Sequence, residues 1–201
     1  DETRIQAEPG LINAFAGLRY YISTKMDGSS HSLSIDENGF HVTGHNFEYK
    51  DDDSSSFYKL VKKRGWKERM YELYEKYGMK TFTIQGEFCA PGILQNRLRL
   101  TSPEWYVFTI RENGERVDLF TMQDYCSEMG MLTVPIEEVA WDLPSQYPDV
   151  ESLLVRADGE YPNGGKKEGI VIRPTEPVFC PLISAILSMK VVSNKYLLKN
   201  E

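Results

Sequence analysis

A lysine followed by a carboxylate and a glycine, Lys25-Met26-Asp27-Gly28, is the first group of residues in the sequence suited to covalent chemistry. Residues 20–25 are rich in aromatic and β-branched types, which predicts a strand that ends at Lys25. Gly28 permits a tight turn directly after it. A lysine in that position acts as a nucleophile once its amine loses a proton, which partial burial or nearby cations favour. The same four residues also fit a surface turn.

A carboxylate follows in a strand with clear alternation over residues 81–88. Phe82, Ile84 and Phe88 share one face of this predicted strand, and Glu87 lies on the other. If the apolar face enters the core, Glu87 faces a cleft, where a carboxylate binds a ribose hydroxyl or a hydrated metal ion. The alternative is a solvent-exposed strand glutamate.

Two further charged residues adjoin apolar strands near the end of the sequence. Glu168 precedes the strand predicted over residues 169–173, a pattern that marks a polar entry into a buried sheet. Lys190 interrupts the strand predicted over residues 187–192. A lysine inside such a strand is costly unless it is paired or faces a site.

The order of these residues is more specific than any one of them. A candidate nucleophile comes first, then Gly-Glu, then Glu-Gly with an apolar strand, then an apolar strand that contains a lysine. Phosphoryl-transfer chemistry requires the same parts, namely an attacking amine, cations at the α-phosphate, and carboxylates for metal and sugar. The joint occurrence of these parts in this order therefore favours phosphoryl-transfer chemistry with a lysine as the nucleophile.

These motifs resemble those of the ATP-dependent RNA ligases, which belong to a covalent nucleotidyltransferase superfamily together with DNA ligases and mRNA capping enzymes. The resemblance spans nearly the whole chain. Motifs I, III, IIIa, IV and V of the superfamily are similar to residues 25–30, 85–88, 105–110, 168–173 and 189–195. Residues 3–6 resemble a segment upstream of the lysine in RNA ligases whose OB domain precedes the ligase domain.

The resemblance implies an α+β fold, with a nucleotidyltransferase (ATP-grasp-like) core of mostly antiparallel sheets flanked by helices around an ATP cleft. Strands in pairs with interspersed helices also favour the α+β class. Residues 1–201 would form one adenylyltransferase domain. This length suits the core and leaves no room for an OB domain, so we expect an accessory OB domain in the full-length protein.

The resemblance also implies roles for individual residues. Lys25 would attack the α-phosphate of ATP and become lysyl-AMP. Lys190 would neutralise that phosphate and favour the uncharged Lys25 amine through like-charge repulsion. Glu87 and Glu168 would bind the ribose or the waters around Mg²⁺ or Mn²⁺. The further nucleotide-binding candidates are Arg4, Gln6, Asp27, Gly28, Phe88, Phe108 and Lys195.

Two of these assignments have alternatives. An aromatic ring is expected to stack on adenine, and Phe88 and Phe108 are the candidates, although both are equally suited to the core. Many members of the superfamily have a second motif V lysine where this chain has Val192. Lys195 is the candidate replacement, unless that contact is absent.

Ser30 bears on the identity of the substrate. DNA ligases and capping enzymes usually place an arginine two residues after the motif I glycine, where this chain has Ser30. The resemblance therefore favours RNA with 5′-phosphate and 3′-hydroxyl ends, which would be sealed through an activated 5′ end, as in RNA repair. The rival interpretations are an ATP-dependent DNA ligase, an mRNA capping guanylyltransferase, and a non-catalytic module that binds nucleotide or RNA.

The composition limits what the chain is expected to do by itself. A net charge of −7 argues against a nucleic-acid-binding domain, unless the OB domain carries much of the RNA affinity. We therefore expect ATP binding and self-adenylylation, with sealing weak or absent. Cys89, Cys126 and Cys180 stand far apart, which is typical of reduced thiols in a soluble, cytoplasmic protein. No run of residues is apolar enough for a membrane span, and we expect a monomer.

The remaining pattern predicts the elements that position these residues. Asn38-Gly39 is a strong turn signal between strands at residues 32–35 and 40–43. The other predicted elements are a helix over residues 57–77 divided at Gly65, a hairpin with strands at 105–111 and 116–120, a helix capped by Thr121 and ending near Gly130, a helix over 148–156, and a loop over 158–167.

Overall fold

The computed structural model of the chain describes residues 2–52 and 54–198. The strands are β1 (Thr3–Arg4), β2 (Arg19–Lys25), β3 (Ser29–Asp36), β4 (Gly39–Thr43), β5 (Phe82–Cys89), β6 (Glu104–Glu112), β7 (Glu115–Arg116), β8 (Leu132–Thr133), β9 (Ile136–Trp141), β10 (Gly169–Pro174), β11 (Phe179–Cys180), β12 (Ala185–Ile186) and β13 (Met189–Val192). The helices are α1 (Leu11–Ala14), α2 (Ser56–Arg64), α3 (Trp66–Lys76), α4 (Leu119–Met129), α5 (Leu143–Gln146), α6 (Val150–Ala157) and α7 (Asn194–Leu197). Most strand pairs are antiparallel, which confirms the predicted α+β class.

The chain divides into two compact units. Unit 1 comprises Asp1–Asp27, Arg97–Arg99 and Val134–Glu201, and unit 2 comprises Gly28–Asn96 and Leu100–Thr133. The division falls inside the first motif, because Lys25 and Asp27 belong to unit 1 and Gly28 belongs to unit 2.

Unit 1 is built on a five-stranded sheet in the order β1-β13-β10-β2-β9. Alternate residues of its three central strands point into an apolar core, and these are Tyr20, Ile22, Ile170, Ile172, Met189 and Val191. Leu11, Phe15 and Leu153 belong to the same core. Since side chains alternate along a strand, Lys25 and Lys190 lie on the opposite, polar face of the sheet.

Unit 2 is built on a sheet in the order β4-β3-β5-β6-β7, with β8 paired to β6. Its core is aromatic. The Phe57 ring of α2 lies 5.3 Å from the Phe88 ring and 5.2 Å from the Trp105 ring, measured between centroids. Trp66 of α3 lies 5.4 Å from Trp105. Aromatic pairs at such separations stabilise a core beyond the area they bury, so these contacts hold α2 and α3 against the sheet.

Local sequence sets the bounds of α2 and α3. The Ser55 hydroxyl accepts a hydrogen bond from the Tyr58 backbone N–H and caps α2. Gly65 follows in the left-handed conformation, with φ of 63°, and separates the two helices. The predicted division of the helix at Gly65 is confirmed. Within residues 2–52 and 54–198, no helix is long and apolar enough to cross a membrane.

The predicted hairpin is confirmed by the pairing of β6 with β7, but the strand predicted over residues 116–120 is wrong beyond Arg116. Strand β7 ends at Arg116, and α4 follows after two residues. The Asp118 carboxylate accepts hydrogen bonds from the backbone N–H groups of Phe120 and Thr121. Asp118, rather than Thr121, is therefore the N-cap of this helix, and the satisfied cap outweighs the β propensity of the sequence around it.

Strand β9 was not predicted, because two carboxylates interrupt its apolar pattern. Glu137 accepts hydrogen bonds from the Thr24 hydroxyl at 2.7 Å and from the Lys167 ammonium at 2.8 Å. Glu138 accepts from the Tyr20 hydroxyl at 2.8 Å. These partners lie far away in sequence, so the compensation for two half-buried charges in a strand is visible only in the folded chain.

Candidate active site

Lys25 and Glu168 form an ion pair at adjoining strand ends in unit 1. Lys25 is the last residue of β2 and pairs in register with Gly169, the first residue of β10. The Lys25 Nζ lies 2.7 Å from Glu168 Oε2, and the two side chains are 23% and 18% exposed. The predicted nucleophile and the motif IV carboxylate are therefore brought into direct contact.

Two more cations lie on the same face of this sheet. Lys190 is paired in register with Val171 of β10 on one side and with Arg4 of β1 on the other. Burial lowers the pKa of Lys190, and the positive charges of Lys25 and then Arg4 lower it further, against opposing carboxylates that include Glu168. The sheet thus concentrates positive charge beside Lys25, as binding of a phosphate group requires.

Asp27 is anchored inside unit 1. Its side chain is 4% exposed and lies with Oδ2 3.2 Å from Arg97 Nε. The Tyr196 hydroxyl donates to Asp27 Oδ1 at 3.3 Å, and the Arg97 guanidinium lies 4.4 Å from the centre of the Tyr196 ring. Burial, and next the charge of Asp27, raise the pKa of Tyr196 to about 12. Sequence reasoning missed Arg97 and Tyr196, because neither belongs to a recognisable motif.

Gly28 directly precedes β3 of unit 2, and Glu87 lies on the neighbouring strand β5. A Cβ atom at Gly28 would lie 2.4 Å from the Phe88 carbonyl oxygen, so the backbone approach excludes any larger residue. The glycine is therefore required by close packing, and it lies at the bend that joins β2 to β3. Ser30 of β3 pairs in register with Glu87. Glu87 is half-buried on the strand face opposite Ile84, as the alternation predicts.

The two aromatic candidates differ in their surroundings. Phe88 is 1% exposed and packs between the rings of His31, at 5.4 Å, and Phe57, at 5.3 Å. It is a core residue of unit 2, and stacking on a nucleotide would require it to leave that core. Phe108 is half-buried and lies at an irregularity of the β5–β6 ladder. Phe108, unlike Phe88, is therefore not a fully buried core residue of unit 2.

Gln6 and Lys195, the remaining candidates, lie at exposed positions of unit 1. The Gln6 side chain accepts a hydrogen bond from Arg4 Nε at 3.1 Å. Lys195 lies in α7, beyond the end of β13, and its ammonium is 3.0 Å from Asp158 Oδ2. Lys195 therefore pairs with a carboxylate of its own unit and does not continue the strand that carries Lys190.

The carboxylates fit a metal ion that is held mainly through water. Among the described residues, no group of three or more His, Cys, Asp or Glu side chains is arranged to hold a metal. Mg²⁺ usually keeps several waters and binds through one or two carboxylates together with substrate phosphates. Glu168 in unit 1 and Glu87 in unit 2 are single carboxylates of the kind this mode requires.

The mixed fold, with a lysine, a carboxylate and further cations on one sheet face, is of the nucleotidyltransferase type. A model of the RNA ligase family matches residues 18–192. This chain therefore belongs to the RNA ligase family. No curated protein sequence matches it.

Solved structures support the fold. The RNA ligase of Naegleria gruberi with PPi superposes with a TM-score of 0.81 at 23% identity, over 99% of this chain and 56% of that one. A lysine-to-alanine mutant of that ligase with ATP and Mn gives a TM-score of 0.83 at 22% identity, over 99% and 56%. A lysine-to-methionine mutant with AMP and Mn gives 0.80 at 21% identity, with the same coverage. The chain thus spans about half the length of these ligases.

Proposed function

We propose that this chain is the adenylyltransferase domain of an ATP-dependent RNA ligase and that Lys25 is its covalent nucleophile. The observation that carries the proposal is the contact of Lys25 Nζ with Glu168, 2.7 Å apart, beside Lys190 on one polar sheet face. Membership of the RNA ligase family supports the same reaction class.

The first step would form a bond between Lys25 Nζ and the α-phosphorus of ATP. The bond from that phosphorus to the pyrophosphate oxygen breaks, and the ammonium proton of Lys25 must leave before attack. Glu168 is the nearest described acceptor of that proton. Lys190 and Arg4 would stabilise the negative charge that builds up on the phosphate oxygens in the transition state.

Mg²⁺ or Mn²⁺ would supply further charge neutralisation at the phosphates when bound. Glu168 and Glu87 are the residues that we propose for its water shell or for the ribose hydroxyls. The Naegleria gruberi structures with Mn support a divalent ion in this role. Asp27 would be kept in place by Arg97, and Phe108 would pack against the base.

Two further transfers would complete ligation. An oxygen of an RNA 5′-phosphate attacks the phosphorus of lysyl-AMP and releases Lys25, and a 3′-hydroxyl then attacks that 5′-phosphate and expels AMP. Because the chain spans about half the length of its solved relatives, we assign only the first step, self-adenylylation, to this chain alone. We propose that an accessory OB domain contributes RNA affinity and that sealing by this chain alone is weak or absent.

The proposal also covers the choice of RNA as the substrate and the biological setting. Ser30, where DNA ligases and capping enzymes usually have arginine, favours RNA. An intracellular monomer that acts in RNA repair agrees with the use of ATP and with three buried free cysteines, Cys89, Cys126 and Cys180.

Intact-mass analysis after incubation with ATP and Mg²⁺ tests the proposal. The wild type should gain the mass of one AMP, which acid should remove, and Lys25→Ala should gain none. Lys76→Ala, which removes an exposed lysine of unit 2 that pairs with Glu128, is the control and should be labelled like the wild type.

Each failure has a distinct meaning. An AMP adduct on Lys25→Ala would refute the assignment of Lys25 as the nucleophile. A wild type that gains no AMP would favour the alternative of a non-catalytic module that binds nucleotide or RNA. A GMP adduct in place of AMP would indicate a guanylyltransferase. Sealing of nicked DNA in preference to nicked RNA would indicate a DNA ligase.

A further inference from the structure

The hydroxyl of Tyr161 joins the two strand ends that carry Lys25 and Glu168. It donates a hydrogen bond to the Lys25 backbone carbonyl at 2.7 Å and accepts one from the Glu168 backbone N–H at 3.2 Å. Tyr161 itself is only 4% exposed. One side-chain oxygen therefore binds the main chain of both residues of the ion pair.

We propose that Tyr161 is a positioning residue that fixes the Lys25 amine for attack, an inference that rests on the proposed function. The ladder between β2 and β10 ends at the pair of Lys25 with Gly169. Glu168 lies one residue outside this ladder. The main chain at the end of a ladder is more mobile than in its middle, and the Tyr161 hydroxyl supplies the contact that the ladder lacks.

The other side of Glu168 is held as well. Its carbonyl accepts a hydrogen bond from the Ser193 backbone N–H at 2.9 Å. Ser193 follows β13, the strand of Lys190. With Tyr161 on its N–H and Ser193 on its carbonyl, both main-chain polar groups of Glu168 are hydrogen-bonded.

Tyr161 is fixed by the turn that follows it. Its backbone N–H donates to the Gly165 carbonyl at 2.7 Å, and its carbonyl accepts from the Gly164 N–H at 2.8 Å. A Cβ atom at Gly165 would lie 1.8 Å from the Arg97 carbonyl oxygen, so this turn packs directly on the main chain there. The Asn163 side chain also donates to the Leu98 carbonyl at 3.1 Å. The hydroxyl is therefore delivered from a well-anchored turn.

The consequence concerns the rate of reaction rather than the binding of ATP. The Tyr161 hydroxyl bonds to the main chain of Lys25 and of Glu168, so its loss acts first on the position of these two residues. A displacement of a reacting group by about 1 Å costs about 100-fold in rate. Removal of the hydroxyl should thus slow attack by Lys25 by about 10- to 100-fold, with little effect on the ATP concentration that gives half the maximal rate.

Tyr161→Phe tests this inference, with Tyr147→Phe as the matched control. Tyr147 also lies in unit 1, and its hydroxyl contacts two side chains, Glu138 at 2.9 Å and Arg156. The rate constant of self-adenylylation is measured across ATP concentrations, together with the final yield of adduct and the melting temperature. We expect a slower rate constant for Tyr161→Phe at an unchanged half-saturating ATP concentration, and wild-type kinetics for the control.

A purely structural role gives a different result. Loss of folded protein lowers the final yield of adduct and leaves the rate constant of the folded molecules unchanged, which would overturn the inference. Equal slowing by Tyr147→Phe, or a change confined to half-saturation, would overturn it too. If Tyr161→Phe melts near the assay temperature, all three proteins are compared well below its melting temperature. A wild type that forms no adduct refutes the proposed function, whereas wild-type kinetics in Tyr161→Phe refutes only the role of Tyr161.

Discussion

The candidate residues of the two units are held in place by different interactions. In unit 1, Lys25, Glu168 and Asp27 are held by ion pairs and by hydrogen bonds from side chains such as Tyr161. In unit 2, Gly28 is in close backbone contact with Phe88, and Glu87 lies on β5, a strand that packs on buried aromatic rings. Polar contacts fix the positions of the candidate residues in unit 1, whereas packing fixes the positions of those in unit 2.

This difference predicts what a substitution in each unit should change. Loss of a half-buried polar contact in unit 1 alters the position or charge of a reactive group, while the apolar core on the other sheet face stays intact. Loss of an aromatic side chain in unit 2 creates a cavity, which lowers the stability of the fold before it alters chemistry. Substitutions in both units test this difference between polar contacts and packing.

Phe57→Ala should give the largest effect and should act on stability. The Phe57 ring is fully buried against Phe88 and Trp105, and such truncations cost about 3–5 kcal/mol. Urea unfolding measures the loss. Phe47→Ala, which truncates a ring that is 60% exposed, should change stability by less than about 0.5 kcal/mol. Equal stability of the two variants would contradict the aromatic core of unit 2.

Lys190→Ala should act on chemistry, with little change in melting temperature. Lys190 is partly exposed on the polar sheet face beside Lys25, and loss of one group that stabilises transition-state charge costs about 100- to 1,000-fold in rate. The self-adenylylation rate measures it, with Lys76→Ala as the control. If Lys190→Ala lowered the melting temperature together with the reaction rate, the polar sheet face of unit 1 would contribute to stability as well as to chemistry.

His31→Gln should remove part of the acid sensitivity of unit 2. Burial lowers the pKa of His31 below its usual 6.5. As the pH drops below about 6.5, the unfolded chain therefore binds a proton at this histidine more readily than the folded chain does, and the free energy of unfolding falls. The slope approaches about 1.4 kcal/mol per pH unit at most. Urea unfolding at pH 5.5, 6.5 and 7.5 compares the variant with the wild type.

His41 contributes to the pH dependence of stability with the opposite sign. This contribution is the same in the wild type and in His31→Gln. Glu48 raises the pKa of His41 through a hydrogen bond, so its contribution to stability is lost as pH rises. The difference between wild type and His31→Gln therefore isolates His31. An identical pH dependence in the two would contradict its burial as a neutral side chain.

Tyr196→Phe should give the smallest effect. It removes the 3.3 Å hydrogen bond to Asp27 and leaves Arg97 beside the same carboxylate. A hydrogen bond of this kind contributes about 0.5–1.5 kcal/mol, which predicts a 2- to 10-fold slower adenylylation. Slowing greater than that for Tyr161→Phe would show that the Asp27 contact, and not the bridge between strand ends, dominates positioning.

Local patterns predicted the elements that carry the motifs. The alternation over residues 81–88 gave the buried and half-buried faces of β5 correctly, because side chains alternate whenever one face of a strand is covered. Gly65 was recognised as a break because glycine adopts the left-handed conformation readily. The start of α4 and the strand β9 were not predicted, since they depend on a cap and on distant partners for two carboxylates.

The sequence by itself determined which strands carry the motif residues and in what order they occur, because the motifs are short and each adjoins its own strand. Only the tertiary structure decided how they are held. Tyr161 meets Lys25 across 136 residues, and Tyr196 meets Asp27 across 169. Contacts over such separations leave no periodic signal in the sequence, since they arise only when the strands have paired and brought distant segments to the same sheet edge.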